Sequence, residues 1–172
     1  LRSLESENVV ALCDVDLEYA SEAISHYPDA AVFTDYREML DAQEDIDGVV
    51  IATPDHTHAV ISLAAMRAGK HVFCQKPLTH DVYESRVLAQ VARETGVTTQ
   101  MGNQFHSSAL YRTAVQVIQS GVIGKVREVH ASTQSPSWPQ GIARPAGSDP
   151  IPEKVDWDLW IGVAQPRPYL KH

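Results

Sequence analysis

Lys76 and Asp14 are the side chains whose types and positions best suit chemistry. Lys76 lies in the stretch 71–81, after the apolar run Val72-Phe73-Cys74 and directly before Pro77. The run reads as a short buried strand, and the proline, with no N–H for a ladder, ends it. The lysine is therefore expected at the carboxyl end of a strand, the side of an open parallel α/β sheet on which ligands bind. It is a candidate for chemistry on such a ligand, beside the plainer reading of a solvated loop lysine. Asp14 closes a second apolar run, Val9-Val10-Ala11-Leu12-Cys13. In dinucleotide folds a carboxylate at such a tip accepts hydrogen bonds from the adenosine ribose, and its charge disfavours a 2'-phosphate. The structural alternative is capping of the following helix by Asp14 or Asp16.

The strand and helix signals that must position these residues recur along the chain. A helix is expected over 17–26, ending before Pro28, then a short apolar element at Val32-Phe33, and a helix through Leu40 capped by Asp35. The run 46–52 reads as another buried strand and leads into Thr53-Pro54-Asp55-His56-Thr57-His58. Pro54 stops the ladder and starts a helix over 57–68 that Gly69 ends. After Lys76 come a helix over 79–95 closed by Gly96, a strand over 97–101 running into Gly102-Asn103-Gln104, and a helix over 107–120. Repeated units of this length predict a Rossmann-like, doubly wound parallel sheet with right-handed crossovers. The segment 126–132 alternates apolar and polar residues, as a strand with one solvated face does. That change of strand type places a domain boundary near Gly124, giving a Rossmann domain over 1–123 and the start of an α+β domain over 124–172. The stretch 135–152 is rich in Pro, Gly and Ser and reads as a long functional loop carrying Trp138 and Arg144. These two, with Trp157 and Trp160, suit either a sugar-stacking surface or packing between domains.

Composition narrows the classes of function. The 172 residues are 44% hydrophobic and 21% charged, ordinary for a globular protein, and the formal net charge of −8 lacks the basic face that nucleic acid requires. A small solute is the expected partner. No apolar run approaches the ~20 residues of a membrane span. Cys13 and Cys74 sit inside apolar runs and read as buried reduced thiols. His56 and His58 flank Thr57 with no third ligand nearby, so no metal centre is expected. The sequence opens at Leu1 directly into charged residues, with no signal peptide visible and none excluded upstream.

Four strand-end segments now stand in order: Cys13-Asp14-Val15-Asp16, Ala52-Thr53-Pro54-Asp55-His56-Thr57-His58, Cys74-Gln75-Lys76-Pro77-Leu78-Thr79 and Met101-Gly102-Asn103-Gln104. Together they resemble the Gfo/Idh/MocA family of nicotinamide-dependent oxidoreductases. The resemblance runs over essentially the whole chain, including Trp138-Pro139-Gln140-Gly141 and Asp156-Trp157-Asp158-Leu159-Trp160-Ile161-Gly162. It implies that Asp14 holds the adenosine ribose, and that Thr53, Pro54 and His58 line the cofactor near the pyrophosphate and nicotinamide ribose. Gln75-Lys76-Pro77 matches the family's Glu-Lys-Pro motif, with the lysine beside the nicotinamide and the substrate hydroxyl, and Asn103 and Gln104 near the ring. A cation there stabilises an alkoxide as hydride leaves carbon and a proton leaves oxygen. Burial beside the cationic ring is expected to disfavour the charged form of Lys76.

The implied activity is hydride transfer between NAD, in preference to NADP, and a sugar, polyol or related hydroxyl compound. Two alternatives stand beside it: a glycosidase of the same family that oxidises and re-reduces its sugar on held NAD, and a non-catalytic cofactor-binding relative. Gln75 departs from the family's Glu, keeping hydrogen bonding to ribose but losing charge pairing with Lys76. The family's glycine-rich first strand and its downstream aspartate and histidine are absent from the sequence, so the chain reads as a fragment cut at both ends. Alone it is expected to bind cofactor poorly and to be inactive. The resemblance also implies a homo-oligomer when full length, through the second domain. The compartment expected is the cytoplasm, with the periplasm left open.

Overall fold

The computed structural model describes Leu4, residues 6–132 and residues 141–171. Among them the elements run β1 (Ala11–Cys13), α1 (Ser21–His26), β2 (Ala31–Phe33), α2 (Tyr36–Ala42), β3 (Gly48–Ile51), α3 (His58–Arg67), β4 (His71–Gln75), α4 (Val82–Thr95), β5 (Thr99–Gly102), α5 (Ala109–Gln119) and α6 (Trp157–Ile161). Every ladder is parallel: β1 pairs with β2 in one sheet, and β3, β4 and β5 follow in that order in another. The strand–helix–strand repeat expected from the apolar runs is therefore present, and parallel pairing puts the carboxyl ends of β3, β4 and β5 on one edge.

The core lies between α3, α4 and the β3–β4–β5 sheet. Ile51, Ile61, Met66, Val72, Cys74, Leu88 and Val91 are buried together there, and Ala65 is wholly buried. Each large aliphatic side chain removed from water contributes roughly 1.5–3 kcal/mol. On β4 the burial alternates, Val72 and Cys74 inward and His71 and Phe73 outward, as a period-2 strand requires. Local signals set the ends of α4. Asp81 Oδ1 accepts from Glu84 N at 2.8 Å, Glu84 Oε2 accepts from His80 N at 2.9 Å, and Gly96 closes the helix with a positive φ of 69°.

Two local readings change. Neither Asp14 nor Asp16 caps α1, which starts only at Ser21. Asp16 instead accepts from Glu18 N and Tyr19 N, and Asp14 Oδ1 accepts from Asp16 N, so the carboxylates shape a turn ahead of the helix. The strand expected over 126–132 is not formed. These residues are exposed and outside any ladder, because a strand exists only by pairing and no partner for it lies among the described residues. Within 155–162, where no element was expected, α6 forms behind Asp156, whose Oδ1 accepts from Leu159 N at 2.9 Å as its cap.

The chain divides into two compact units, residues 1–102 with 148–172, and residues 103–147. The return of the last segment to the first unit is made by main-chain bonds that no local pattern announces. Asp156 N donates to Val15 O at 2.9 Å, and Asp16 forms an antiparallel bridge with Val155. The second unit holds a 3₁₀ turn over Gln104–Ser107 and α5, which Ser108 caps by accepting from Tyr111 N. No helix among the described residues is long and apolar enough to cross a membrane.

Candidate functional site

The chemistry-bearing residues of the first unit collect where parallel strands end. In the β3–β4 ladder Ile51 stands opposite Cys74, so Thr53-Pro54 and Gln75-Lys76-Pro77 leave the sheet along the same edge. On the far side of β4, Gln75 pairs with Gly102. A side chain at Gly102 would run into the Gln75 amide and lie 3.2 Å from Gln75 Cα, so the glycine permits Gln75 to lie across β5. The peptide bond between Lys76 and Pro77 is cis. Lys76 itself is exposed. It falls one residue past the last one in β4.

Behind this edge the β3 exit is tightly tied. Thr57, buried, donates its hydroxyl to Pro54 O at 2.8 Å and lies 2.8 Å from Thr53 Oγ1. His58 is only 1% exposed, with Nδ1 2.6 Å from Pro77 O and Nε2 2.8 Å from Thr53 O. His56 Nε2 donates to Trp160 O at 2.9 Å. The rings of both histidines thus serve main-chain carbonyls.

Asp14 sits half-buried at the β1 tip, its own N–H donating to Phe33 O of the neighbouring strand at 3.1 Å. Its Oδ1 is engaged by Asp16 N, which orients the carboxylate. The tip is strongly acidic. The Cys13 thiol is pushed up to about 12, first by burial and then by the carboxylates of Asp35, Asp14 and Glu38. Asp35 itself is held below the usual carboxylate range by its hydrogen bonds to the Arg37 guanidinium, the shortest 2.6 Å. The Cys74 thiol is also pushed up, chiefly by burial.

Both thiols therefore stay protonated and slow at mildly alkaline pH, because the thiolate is the reactive form. In a dithiobis-nitrobenzoate assay at pH 8 the folded protein is expected to release no thiol equivalent from Cys13 or Cys74 within minutes, and both after denaturation. Rapid reaction of either in the folded state would contradict the burial described. The raised Cys13 value also has a defined sign for stability. The folded state holds its proton where the unfolded state has lost it, so this contribution falls as pH rises from about 9.0 towards about 12.

Comparison with known proteins accords with this arrangement. The profile of the Gfo/Idh/MocA oxidoreductases, described as an oxidoreductase family with an NAD-binding Rossmann fold, matches residues 1–103. The chain belongs to this family. Inositol 2-dehydrogenase from Burkholderia multivorans is 35% identical over 140 residues, covering 80% of this chain and 41% of that protein. Among solved structures, myo-inositol 2-dehydrogenase from Lactobacillus plantarum aligns with a TM-score of 0.66 at 31% identity, covering 71% of this chain and 36% of that one. The scyllo-inositol dehydrogenase of Lactobacillus casei, solved with bound NAD(H) and scyllo-inositol, aligns with a TM-score of 0.63 at 30% identity, covering 67% and 34%. The chain thus spans less than half the length of these relatives.

Within the first unit, Thr53, Pro54, His58, Gln75, Lys76 and Pro77 lie at the shared β3–β4 edge, and Asp14 lies at the tip of β1 in the other sheet. Asn103 and Gln104 open the second unit, where Asn103 O accepts from His106 N at 3.0 Å, and Arg144 is exposed in that unit. Trp138 lies outside the described residues. The donor set of the first unit fits a dinucleotide: a carboxylate at the β1 tip, a threonine and proline at the β3 exit, and an amide and ammonium after β4, all on carboxyl ends of parallel strands.

Of the two readings for Trp157 and Trp160, sugar stacking or packing between domains, the structure shows packing, within the first unit. Trp157 and Trp160 stack on each other at 4.7 Å, Trp157 Nε1 donates to Arg167 O, and the Arg167 guanidinium lies over the Trp160 ring. They pack within the first unit. Through Asp156 on Val15 and Trp160 on His56 they join the β1 tip to the β3 exit. Sequence reasoning missed this role. Its local trace was the capping Asp156 before Trp157, but the partners lie far away in sequence.

Proposed function

We propose that this chain is the cofactor-binding part of an NAD-dependent dehydrogenase that interconverts a hydroxyl and a carbonyl on a sugar or cyclic polyol. The observation that carries the reading is that Asp14, Thr53 and Lys76 each follow the carboxyl end of a parallel strand within one unit. The relatives named as inositol dehydrogenases support the substrate class. When bound, the nicotinamide cofactor supplies the hydride acceptor. Lys76, exposed at the site edge, takes or returns the hydroxyl proton and stabilises negative charge on that oxygen. Asp14 accepts hydrogen bonds from the adenosine ribose. Thr53 and Pro54 line the pyrophosphate side, Gln75 binds a ribose hydroxyl as a neutral amide, and Pro77 fixes the chain after the lysine. The full-length protein acts as a homo-oligomer in the cytoplasm.

The test is reduction of NAD by the full-length protein against a panel of inositols, hexoses and polyols. Net reduction with one of them establishes the dehydrogenase. Sugar release from an aryl glycoside that needs NAD but shows no net reduction would replace it with the redox-cycling glycosidase.

The acidic β1 tip bears on the choice of cofactor. Asp14 and Glu38 raise the Cys13 thiol, and Asp35 is paired with Arg37, so a 2'-phosphate at the β1 tip would meet the Asp14 carboxylate. NAD is therefore preferred over NADP. In the full-length protein Asp14→Ser is expected to narrow the NAD-to-NADP ratio of kcat/KM by about 10–100-fold, as one close charge at partial screening allows. An unchanged ratio would remove Asp14 from cofactor selection.

A further inference from the structure

His58 holds together two chain segments that the sheet itself has released. The last registered pair of the β3–β4 ladder is Ile51 and Cys74. Beyond it, the imidazole spans from Thr53 O at 2.8 Å to Pro77 O at 2.6 Å. Both partners are acceptors, so a ring with hydrogens on both nitrogens donates to each, and a ring with one hydrogen donates to one. The ring is 1% exposed and sits on the first turn of α3, where Ala59 and Ile61 are buried beside it in sequence. It cannot exchange these partners for water without opening the core. Pro77 is the neighbour of Lys76, and Thr53 begins the opposite wall of the site.

We propose that His58 is the positioning residue of Lys76: by clamping the carbonyl after the lysine to the carbonyl at the β3 exit, it sets the distance and direction at which the ammonium meets the reacting oxygen. The inference rests on the reading of Lys76 as the proton-transfer group. It assigns His58 a task apart from lining the cofactor, since both its nitrogens are directed at main chain. Catalysis is sensitive to such a clamp because a displacement of ~1 Å in a reacting group costs on the order of 10²-fold in rate.

The side-chain amides offer a graded test. The amide nitrogen of Asn reaches about the place of Nδ1 and can keep the bond to Pro77, whereas that of Gln reaches about the place of Nε2 and can keep the bond to Thr53. In the full-length protein, His58→Leu is expected to lower kcat by about 10²-fold while NAD affinity, read by fluorescence titration, changes less than about threefold. His58→Asn is expected to recover at least about tenfold of that kcat, and His58→Gln less, because the carbonyl next to the lysine matters more. If His58→Leu does not fold, the comparison of Asn with Gln still decides. Equal kcat in the Asn and Gln variants, or loss confined to NAD affinity with kcat intact, would overturn the proposal. Lys76→Met separates the two levels: turnover surviving that change sinks the lysine reading, whereas turnover lost there but unaffected by every His58 variant sinks only the clamp.

Discussion

Lys76→Met in the full-length protein is expected to lower kcat by about 10²–10⁴-fold while NAD binding stays within about threefold. Methionine keeps the length and most of the apolar stem and removes the ammonium, so the variant isolates proton transfer and charge stabilisation from packing. The expectation follows from position. Lys76 is exposed directly after β4, and the carboxylate, hydroxyl and amide assigned to cofactor binding reside on other residues. Its loss therefore falls on the step in which the hydroxyl gives up its proton. Cofactor affinity can be read by fluorescence titration and the chemical step by single-turnover reduction of NAD. A kcat within tenfold of the parent would reassign the lysine to the solvated loop role that its exposure also permits.

The second large effect is on stability. Ile51 ends β3, is 2% exposed, and belongs to the cluster with Ala65, Met66 and Cys74. Ile51→Ala is expected to cost about 2–5 kcal/mol and Ile51→Val about 0.5–1.5 kcal/mol, since each deleted methyl group loses its transfer energy and leaves space the neighbours fill only in part. Urea unfolding of the full-length protein, compared at constant m, measures both. An alanine variant within 1 kcal/mol of the parent would mean that the β3 end is not in a rigid core. Thr53 and Pro54 follow Ile51 directly, so a softened strand end should also loosen the site. A drop in NAD affinity that accompanies the drop in stability would mark that coupling.

Much of this was legible because it is local. An apolar run followed by proline or by a charged residue is a strand end whatever surrounds it, and this placed Asp14, Thr53 and Lys76 at the tips where they are found. Asp35 caps the helix that follows it, as expected, whereas the helices expected over 79–95 and 107–120 begin later, behind the caps Asp81 and Ser108. The readings that changed concern residues whose fate depends on a distant partner. The alternation over 126–132 is compatible with a strand, but pairing is not encoded in one segment. Asp16 was free to cap a helix or shape a turn, and its backbone bridge to Val155 accompanies the second outcome.

By itself, the sequence determined the kind of fold, the order of its strands and helices, and which side chains stand at strand tips, because periodicity, proline and capping act within a few residues. Tertiary structure alone decided that the His58 ring would be consumed by the carbonyls of Thr53 and Pro77, that Lys76 would emerge exposed, and that the segment with Trp157 and Trp160 would return to Val15 and His56. The bonds of His58 to Pro77, His56 to Trp160 and Asp156 to Val15 join groups far apart along the chain. Such contacts form only where burial leaves a polar group no water to turn to, and which group meets which is set by the packing of whole elements.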